Sequence, residues 1–524
     1  MNRDVDIAIV GSGFAGSLMA MIARRLGRSV LLLERGTHPR FAIGESSTPL
    51  ANLLLTELAQ RYDLPRLLPF TKYGSWRRSY PDVACGLKRG FSFFRHEAGA
   101  PFGGEAAHRH QLLVAASPHD EIADMHWYRP DFDHFLVREA QSLGVEYMDE
   151  VALDTFASSG SGALLEGERR GEPVAVRARL VIDATGPRGF LHRALHLSER
   201  TYRDLPATQS IYTHFTGVRR FADVAAHAFD GAPPYPVDDA AVHHVFDGGW
   251  IWVLRFTNGI TSAGVAATDA LARELRLAEG APAWERLLAR LPSVRAQFAD
   301  AMPSREFTYL PRISFLSGAI AGPDWVMLPS AAGVVDPLLS TGFPLTMLGV
   351  GRVAAAIAEE WDSPRLALRL SAYAERTAGE LEATAQLVGA LYASFDDFEC
   401  FTALSLLYFA AASFTESARR LHRPDLTGDA FLLGDHPVFG PAARACLQRA
   451  RIPGTPAERA ALLAEIARTI EPVNIAGLAR AERRNWYPVR AEDLVATASK
   501  LDSDEPAIVE LLERCGFFAA AVSP

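Results

Sequence analysis

Gly11-Ser12-Gly13-Phe14-Ala15-Gly16 carries glycines at the spacing a dinucleotide diphosphate requires, directly after an apolar run and opening a helical one. The first glycine permits the turn, the second lets backbone approach the pyrophosphate, and the third lets helix and strand pack closely. The amides at the helix start then supply donors and a positive dipole end. Glu34 closes the next apolar run, where a carboxylate accepts from both ribose hydroxyls of an adenosine. A glycine-rich turn without a ligand can carry the same three glycines. The strand before, the helix after and the terminal acid together favour the dinucleotide.

Three other places hold residues with chemical potential. Lys88 stands among Gly86, Phe91, Phe93 and Phe94. A lone lysine is usually a solvated surface charge, but in an apolar strand an unpaired ammonium is costly and burial lowers its pKa. Trp250 and Trp252 share a face if their segment is extended, since strand side chains alternate; two core tryptophans fit that pattern equally. Ser340-Thr341-Gly342 precedes a helix predicted from about Phe343, whose first amides suit a small anion. An ordinary cap by Ser340 or Thr341 is the alternative. His96, His126 and Asp397 are of the type that serves as a general base, though each is more commonly structural, and none is assigned that role.

The elements that must position these residues are legible in outline. Residues 5–10 and 29–34 read as buried parallel strands flanking a helix over 14–27, a βαβ unit. Leu180 to Gly186 and Trp325 to Gly333 read as two further strand-to-turn junctions. Alternation across 205–320, with a turn at Asn258-Gly259, predicts an antiparallel sheet over a substrate cavity. From about residue 350 the pattern is helical and Ala/Leu/Glu-rich, punctuated by Pro424, Pro437, Pro453 and Pro456. The expected fold is α/β: a Rossmann-like FAD-binding domain over 1–350, interleaved with a substrate-binding sheet (about 75–125 and 205–320), and a C-terminal helical domain over 351–524. Aromatic residues from Tyr392 to Phe414 are expected mainly in the core.

Composition narrows the function. At 524 residues the chain exceeds one ordinary core, so two or three lobes are expected. A net charge of -9 without a basic stripe argues against nucleic acid. Cys85, Cys400, Cys446 and Cys515 form no CxxC pair, so neither a metal site nor a disulfide framework is expected, and the cytoplasm is the default compartment. The run from Thr402 to Phe414 is too short to span a bilayer, so no membrane partner is expected. The sequence permits a homodimer without specifying one. A second diphosphate fingerprint is missing; Gly349-Val350-Gly351 lies within a predicted helix and reads as close packing. One tightly held dinucleotide, FAD, is expected, with no separate NAD(P)H site.

His38-Pro39-Arg40-Phe41-Ala42-Ile43-Gly44-Glu45-Ser46 makes the likeness specific. PRFxIGES after a glycine-rich βαβ unit resembles the flavin-dependent halogenases, within the aromatic-hydroxylase-like flavoproteins. In order there follow Trp127-Tyr128-Arg129-Pro130-Asp131-Phe132-Asp133, Asp183-Ala184-Thr185-Gly186, Gly249-Trp250-Ile251-Trp252 and Asp336-Pro337-Leu338-Leu339-Ser340-Thr341-Gly342. Cys85-Gly86-Leu87-Lys88-Arg89-Gly90-Phe91 is similar to the segment carrying the family's essential lysine, and its wording resembles the phenol-halogenating, phloroglucinol-type branch. The likeness covers roughly residues 1–420.

The resemblance implies reduced FAD delivered by a separate flavin reductase, O2, and chloride or bromide oxidised to hypohalous acid. The acid travels to a small electron-rich aromatic substrate, with Lys88 hydrogen-bonding it or carrying the halogen. Cofactor contacts are implied for Gly11, Gly13, Phe14, Ala15, Gly16, Glu34, Arg35, Arg40, Gly44, Glu45, Ser46, Arg129, Asp183, Ser330, Asp336 and Gly342. Halide binding is implied for Thr341 and Gly342, and the tunnel wall for Trp250 and Trp252. The sequence departs from the pattern twice. Leu254-Arg255 replaces Ile-Pro after the tryptophan pair, placing Arg255 where it could alter the tunnel wall. Pro329-Ser330 replaces Gly-Asp, which predicts weaker flavin retention. A monooxygenase or dehydrogenase on the same scaffold, or a non-catalytic flavoprotein, would leave Lys88 incidental.

Overall fold

The computed structural model describes residues 2–104, 107–159, 162–229 and 231–518. Its nucleotide half is built on an eight-stranded sheet. The strand order is Ala321–Gly322, Trp325–Met327, Glu172–Asp183, Asn2–Val10, Val30–Leu33, Glu146–Met148, with a hairpin of Val151–Ser158 and Ala163–Arg169 beside Glu172–Asp183. The central pairings are parallel. Strands covered on both faces read as continuous apolar runs, and Ile7 to Val10 and Val30 to Leu33 are accordingly all buried. The first helix, Phe14–Arg25, ends two residues sooner than predicted because Gly27 turns the chain with φ +80°.

The second sheet has nine strands and differs from the antiparallel expectation in two pairings. Thr208–Thr216, Thr261–Thr268, Gly249–Arg255 and Ala241–Phe246 are antiparallel neighbours, and a turn at Asn258 and Gly259 joins two of them. Ala241–Phe246 then runs parallel to Gly90–Arg95. The short strand Trp486–Tyr487, from the C-terminal part, runs parallel to Gln111–Ala115. These pairings join segments far apart in sequence, which local alternation does not report. Within 269–297 three short helices, Asp269–Glu274, Ala281–Arg290 and Pro292–Gln297, interrupt the predicted strands and cover the outer face of the sheet.

The helical region is not a separate lobe. The predicted boundary at 350 falls inside the helix Gly342–Glu360, which packs on both Phe14–Arg25 and Pro49–Arg61. One hydrophobic core runs from Ile7 through Val350, Leu391 and Phe401 to Ile470. The apolar run at Thr402 belongs to a 23-residue helix, Phe398–Arg420. That helix and Leu338–Glu360 are long and apolar enough to cross a membrane by length and composition, contrary to the sequence estimate. Most of each is buried inside the protein, which accounts for the apolar character without a bilayer.

Candidate active site

Gly11 has φ +99°, and a Cβ there would lie 2.7 Å from the Ala184 carbonyl carbon; one on Gly16 would lie 1.9 Å from the Gly11 oxygen. Only glycine fits either place. Gly13, Phe14 and Ala15 line a cavity of about 470 Å³, and no side chain caps the helix that starts there. This cradle of free backbone beside Arg40 and Arg129 suits a diphosphate. Glu34 accepts from the Ser12 amide (3.1 Å), Ser12 Oγ (2.9 Å), the Gly36 amide (3.0 Å) and Arg40 Nη2 (3.2 Å). Burial works to raise its pKa, but Arg40 and the two amides outweigh burial and hold the carboxyl below its ordinary range. Arg35 is exposed and outside the cavity wall, so the structure does not bring it to the site with its neighbours.

Arg40, Gly44, Glu45, Ser46, Arg129, Trp250, Trp252, Ser330, Asp336, Thr341 and Gly342 all line the same cavity. Arg129 braces it: Nε and Nη2 each bond Asp133 at 2.7 Å, and Nη1 donates to the Ile43 and Gly44 carbonyls at 3.1 and 2.9 Å. Glu45 is buried, with Oε1 on His214 Nε2 at 2.8 Å and Oε2 without a protein partner. An orphaned carboxylate oxygen in the wall marks a place where a bound group is missing its counterpart. Asp183, by contrast, lies beneath the wall. Its oxygens are taken by the Thr185 amide and hydroxyl and by the Leu191 amide, and Ala184, Thr185 and Gly186 face the cavity in its place. Its role here is to shape the turn.

The tryptophan pair alternates as predicted. Both rings face the cavity with centroids 5.8 Å apart, while Ile251 and Val253 enter the second core. Leu254 continues the cavity face. Arg255 points the other way and donates to the Val218 carbonyl at 2.9 Å, so this departure from the family pattern leaves the wall apolar. Trp250 Nε1 donates to Tyr392 Oη at 3.1 Å, and Tyr392 donates to Asp336 Oδ2 at 2.9 Å. Burial pushes the Asp336 carboxyl up to about 7 against the Leu338 amide and this Tyr392 bond.

At the far end, Leu339 and Ser340 both sit in the left-handed region, with φ of 65° and 55°. Two such residues in succession cost on the order of 1–2 kcal/mol each. The helix that follows starts at Gly342, and neither Ser340 nor Thr341 caps it with its side chain. The capping alternative is therefore not realised, and a Cβ at Gly342 would meet nothing within 4 Å.

Lys88 is fully buried. Its Nζ donates to Ser46 Oγ at 2.9 Å and the Ser47 carbonyl at 2.5 Å, and lies 3.8 Å from the centre of the Phe91 ring. Ser46 lines the cavity just described. Phe91 lines a second, mostly apolar cavity of about 140 Å³ together with Thr48, Tyr408 and Phe409. The amine thus stands in the partition between two cavities, and Phe343 and Pro344 contribute one to each side. Burial brings its pKa down to about 7, against the opposing pull of Asp124. The aromatic residues assigned to the core divide: Phe401 packs on Phe93, whereas Tyr408 and Phe409 wall the second cavity. Of the candidate bases, His96 bonds His244, His126 bonds the Ala240 carbonyl, and Asp397 caps Phe398–Arg420 and pairs with Arg459. None lines either cavity.

Sequence reasoning missed Asp124, Tyr392 and His214. Each acts through a long-range contact, and none stands in a motif. One signal was present: only three lysines, Lys72, Lys88 and Lys500, occur among 53 basic residues. Where arginine serves nearly every surface charge, a buried lysine marks a need for an amine that can lose its proton.

The tryptophan halogenase family model matches residues 123–398, and an FAD binding domain model matches residues 6–215. Monodechloroaminopyrrolnitrin halogenase PrnC of Pseudomonas fluorescens is 29% identical over 413 residues, covering 77% of this chain and 70% of that one. Tetracycline 7-halogenase of Kitasatospora aureofaciens is 27% identical, covering 82% and 77%. The crystal structure of halogenase PltM in complex with phloroglucinol and FAD superposes with a TM-score of 0.80 at 26% identity, covering 92% of this chain and 99% of that one. The chain belongs to the tryptophan halogenase family and is an FAD-dependent halogenase.

Proposed function

We propose that this enzyme halogenates a phenolic or otherwise electron-rich aromatic compound, using chloride or bromide, with Lys88 handing oxidised halogen to the ring. The observation that carries this reading is the position of Lys88 between two cavities, bonded to the wall of one and lying on an aromatic wall of the other. The larger cavity has the glycine cradle and braced arginine for FAD. The smaller, aromatic-walled one suits a flat acceptor ring. A structural neighbour complexed with phloroglucinol adds support for a phenol.

Bound reduced FAD supplies, with O2, the oxidising power that turns halide into hypohalous acid. The residues of the chain do the rest. The amides of Gly13 and Ala15, at the open start of the first helix, would hold the diphosphate, and Glu34 would take the adenosine ribose. The start of the Gly342 helix holds the halide in a recess without a carboxylate side chain at Leu339 to Gly342. Trp250, Trp252 and Leu254 keep the intervening wall apolar, which excludes water and preserves the oxidised halogen. Lys88 orients that species by hydrogen bonding or bears it as a haloamine. A separate reductase supplies reduced flavin, because the chain carries a single dinucleotide fingerprint.

The test is direct. Purified enzyme is given FAD, a flavin reductase, NADH, bromide or chloride, and small phenols, and products are read by mass. Halogen isotope patterns in a phenol are expected. Oxygen insertion without halogen would instead assign the scaffold to a monooxygenase, and halogenation of non-phenolic substrates alone would remove the phenol.

A further inference from the structure

Asp124 is the residue directly opposite Lys88 in the antiparallel pairing of Cys85–Lys88 with Asp124–Trp127. Opposed side chains in such a pair leave one face with Cβ atoms about 4.5–5.5 Å apart. Asp124 is buried; Oδ1 accepts from Asn52 Nδ2 at 2.7 Å and Oδ2 has no partner. The two charges are nevertheless not joined in an ion pair, since Lys88 donates to Ser46 and Ser47 instead. A buried carboxylate with a free oxygen beside a buried amine is an expensive arrangement unless a proton moves between them.

We infer that Asp124 is a positioning residue for halogen transfer: it stores the proton that Lys88 gives up, so that the amine becomes neutral without exporting charge from a dry partition. This rests on the function proposed above. In the step, an N–H bond of Lys88 breaks and an O–H bond forms on Asp124 Oδ2. The electron pair stays on Nζ, free for hypohalous acid or its halogen, and Lys–NH3⁺ with Asp–COO⁻ becomes Lys–NH2 with Asp–COOH. Net charge is unchanged, and the proton returns after turnover. The four-carbon stem of Lys88 is long enough to bring Nζ back over its cross-strand neighbour.

The surroundings fit one shared proton. His126 and His243 also bear on Lys88, but burial, reinforced by Lys88 itself, brings both down to about 3 and keeps them neutral. Burial raises Asp124 to about 7 while Lys88 opposes the rise; Glu416 adds to it, and Asn52 and Arg420 oppose it. Tyr408, in the wall of the acceptor cavity, and Arg420 also feel Asp124. Lys88 and Asp124 therefore titrate in the same range as a pair.

Three lysines make the test tractable. Protein labelled at lysine Cε gives three signals by NMR, and Lys88→Met identifies one of them. In the wild type the Lys88 signal is expected to titrate near neutrality. In Asp124→Asn, where the opposite charge is gone, its midpoint is expected to fall by at least one pH unit. Asn52→Leu, which removes the bond favouring the carboxylate, is expected to move it down by less, and serves should Asp124→Asn fold poorly. In turnover of a phenol, Asp124→Asn is expected to shift the limb of the pH profile down with the NMR midpoint, with KM for the phenol unchanged. A Lys88 midpoint that ignores both substitutions overturns the inference, as does an unshifted pH profile. Because the titration needs no turnover, it is independent of whether the substrate is a phenol.

Discussion

Tyr392 donates to Asp336 at 2.9 Å from the last turn of a 28-residue helix, joining the helical region to the wall of the cavity that Gly13 and Arg129 line. The same hydroxyl accepts from Trp250, so one phenol fixes both an acid and an indole. Tyr392→Phe removes it and leaves Trp250 Nε1 and Asp336 Oδ2 without this partner, while Asp336 Oδ1 keeps the Leu338 amide. The expected cost is about 1–3 kcal/mol of stability, seen as a lower thermal midpoint, with a changed Trp250 fluorescence contribution. An unchanged midpoint would mean that the bridge is not formed in solution.

Asp336 sets a pH dependence. Its folded pKa, pushed up to about 7 by burial, exceeds the unfolded value near 4. A raised pKa means that the stability it contributes is complete below the unfolded value and is lost as pH rises through about 7. Asp336→Asn escapes that loss. The thermal midpoint of the variant relative to wild type is therefore expected to move in the variant's favour between pH 5 and pH 8, as measured on the apoprotein at both. A constant difference would show that Asp336 titrates normally.

Lys88 carries a pH dependence of the opposite sign. Its folded pKa is lowered, so its contribution is complete above the unfolded value near 10.4 and is lost as pH falls through about 7. Lys88→Met puts an apolar side chain of similar length in its place. Halogenation is expected to fall at least 100-fold with FAD still bound, while stability at pH 7 rises by about 1–3 kcal/mol. Denaturant midpoints and product assays on one preparation check both. Lower stability with unchanged activity would make Lys88 structural.

The parts legible in the sequence are those that local geometry dictates. Gly11 and Gly16 could be read because no other residue fits their backbone, and Trp250 with Trp252 because a strand alternates. The place of Asp183 beneath the cavity wall was not legible, because a motif records which residue is present and not where its oxygens are spent. Asp124 was invisible: its meaning lies in a register between two strands more than thirty residues apart. The parallel pairing of Trp486–Tyr487 with Gln111–Ala115 was unreadable for the same reason.

Ser330 lines the cavity where most superfamily relatives were expected to place aspartate. A hydroxyl is a weaker acceptor than a carboxylate toward a hydroxylated chain such as ribityl. Ser330→Asp is expected to tighten FAD binding about tenfold, corresponding to ~1.4 kcal/mol, measured by fluorescence titration of the apoprotein. No gain, or weaker binding, would show that the carboxylate has no donor to meet here.

Gly342 provides the cleanest separation of fold from function. A Cβ there meets no protein atom within 4 Å, and its φ lies outside the left-handed region. Gly342→Ala should therefore fold normally and, being in a helix, gain slightly from reduced freedom in the unfolded chain. The added methyl projects into the FAD cavity at the helix start, where the proposed halide sits. Crowding an anion held by backbone amides weakens it more than a flavin spread along the whole cavity. The expected result is KM for halide raised tenfold or more, with thermal midpoint unchanged and FAD affinity altered less than threefold. Equal losses for FAD and halide would place the methyl against the flavin ring, and no loss of either would move the halide away from Thr341 and Gly342.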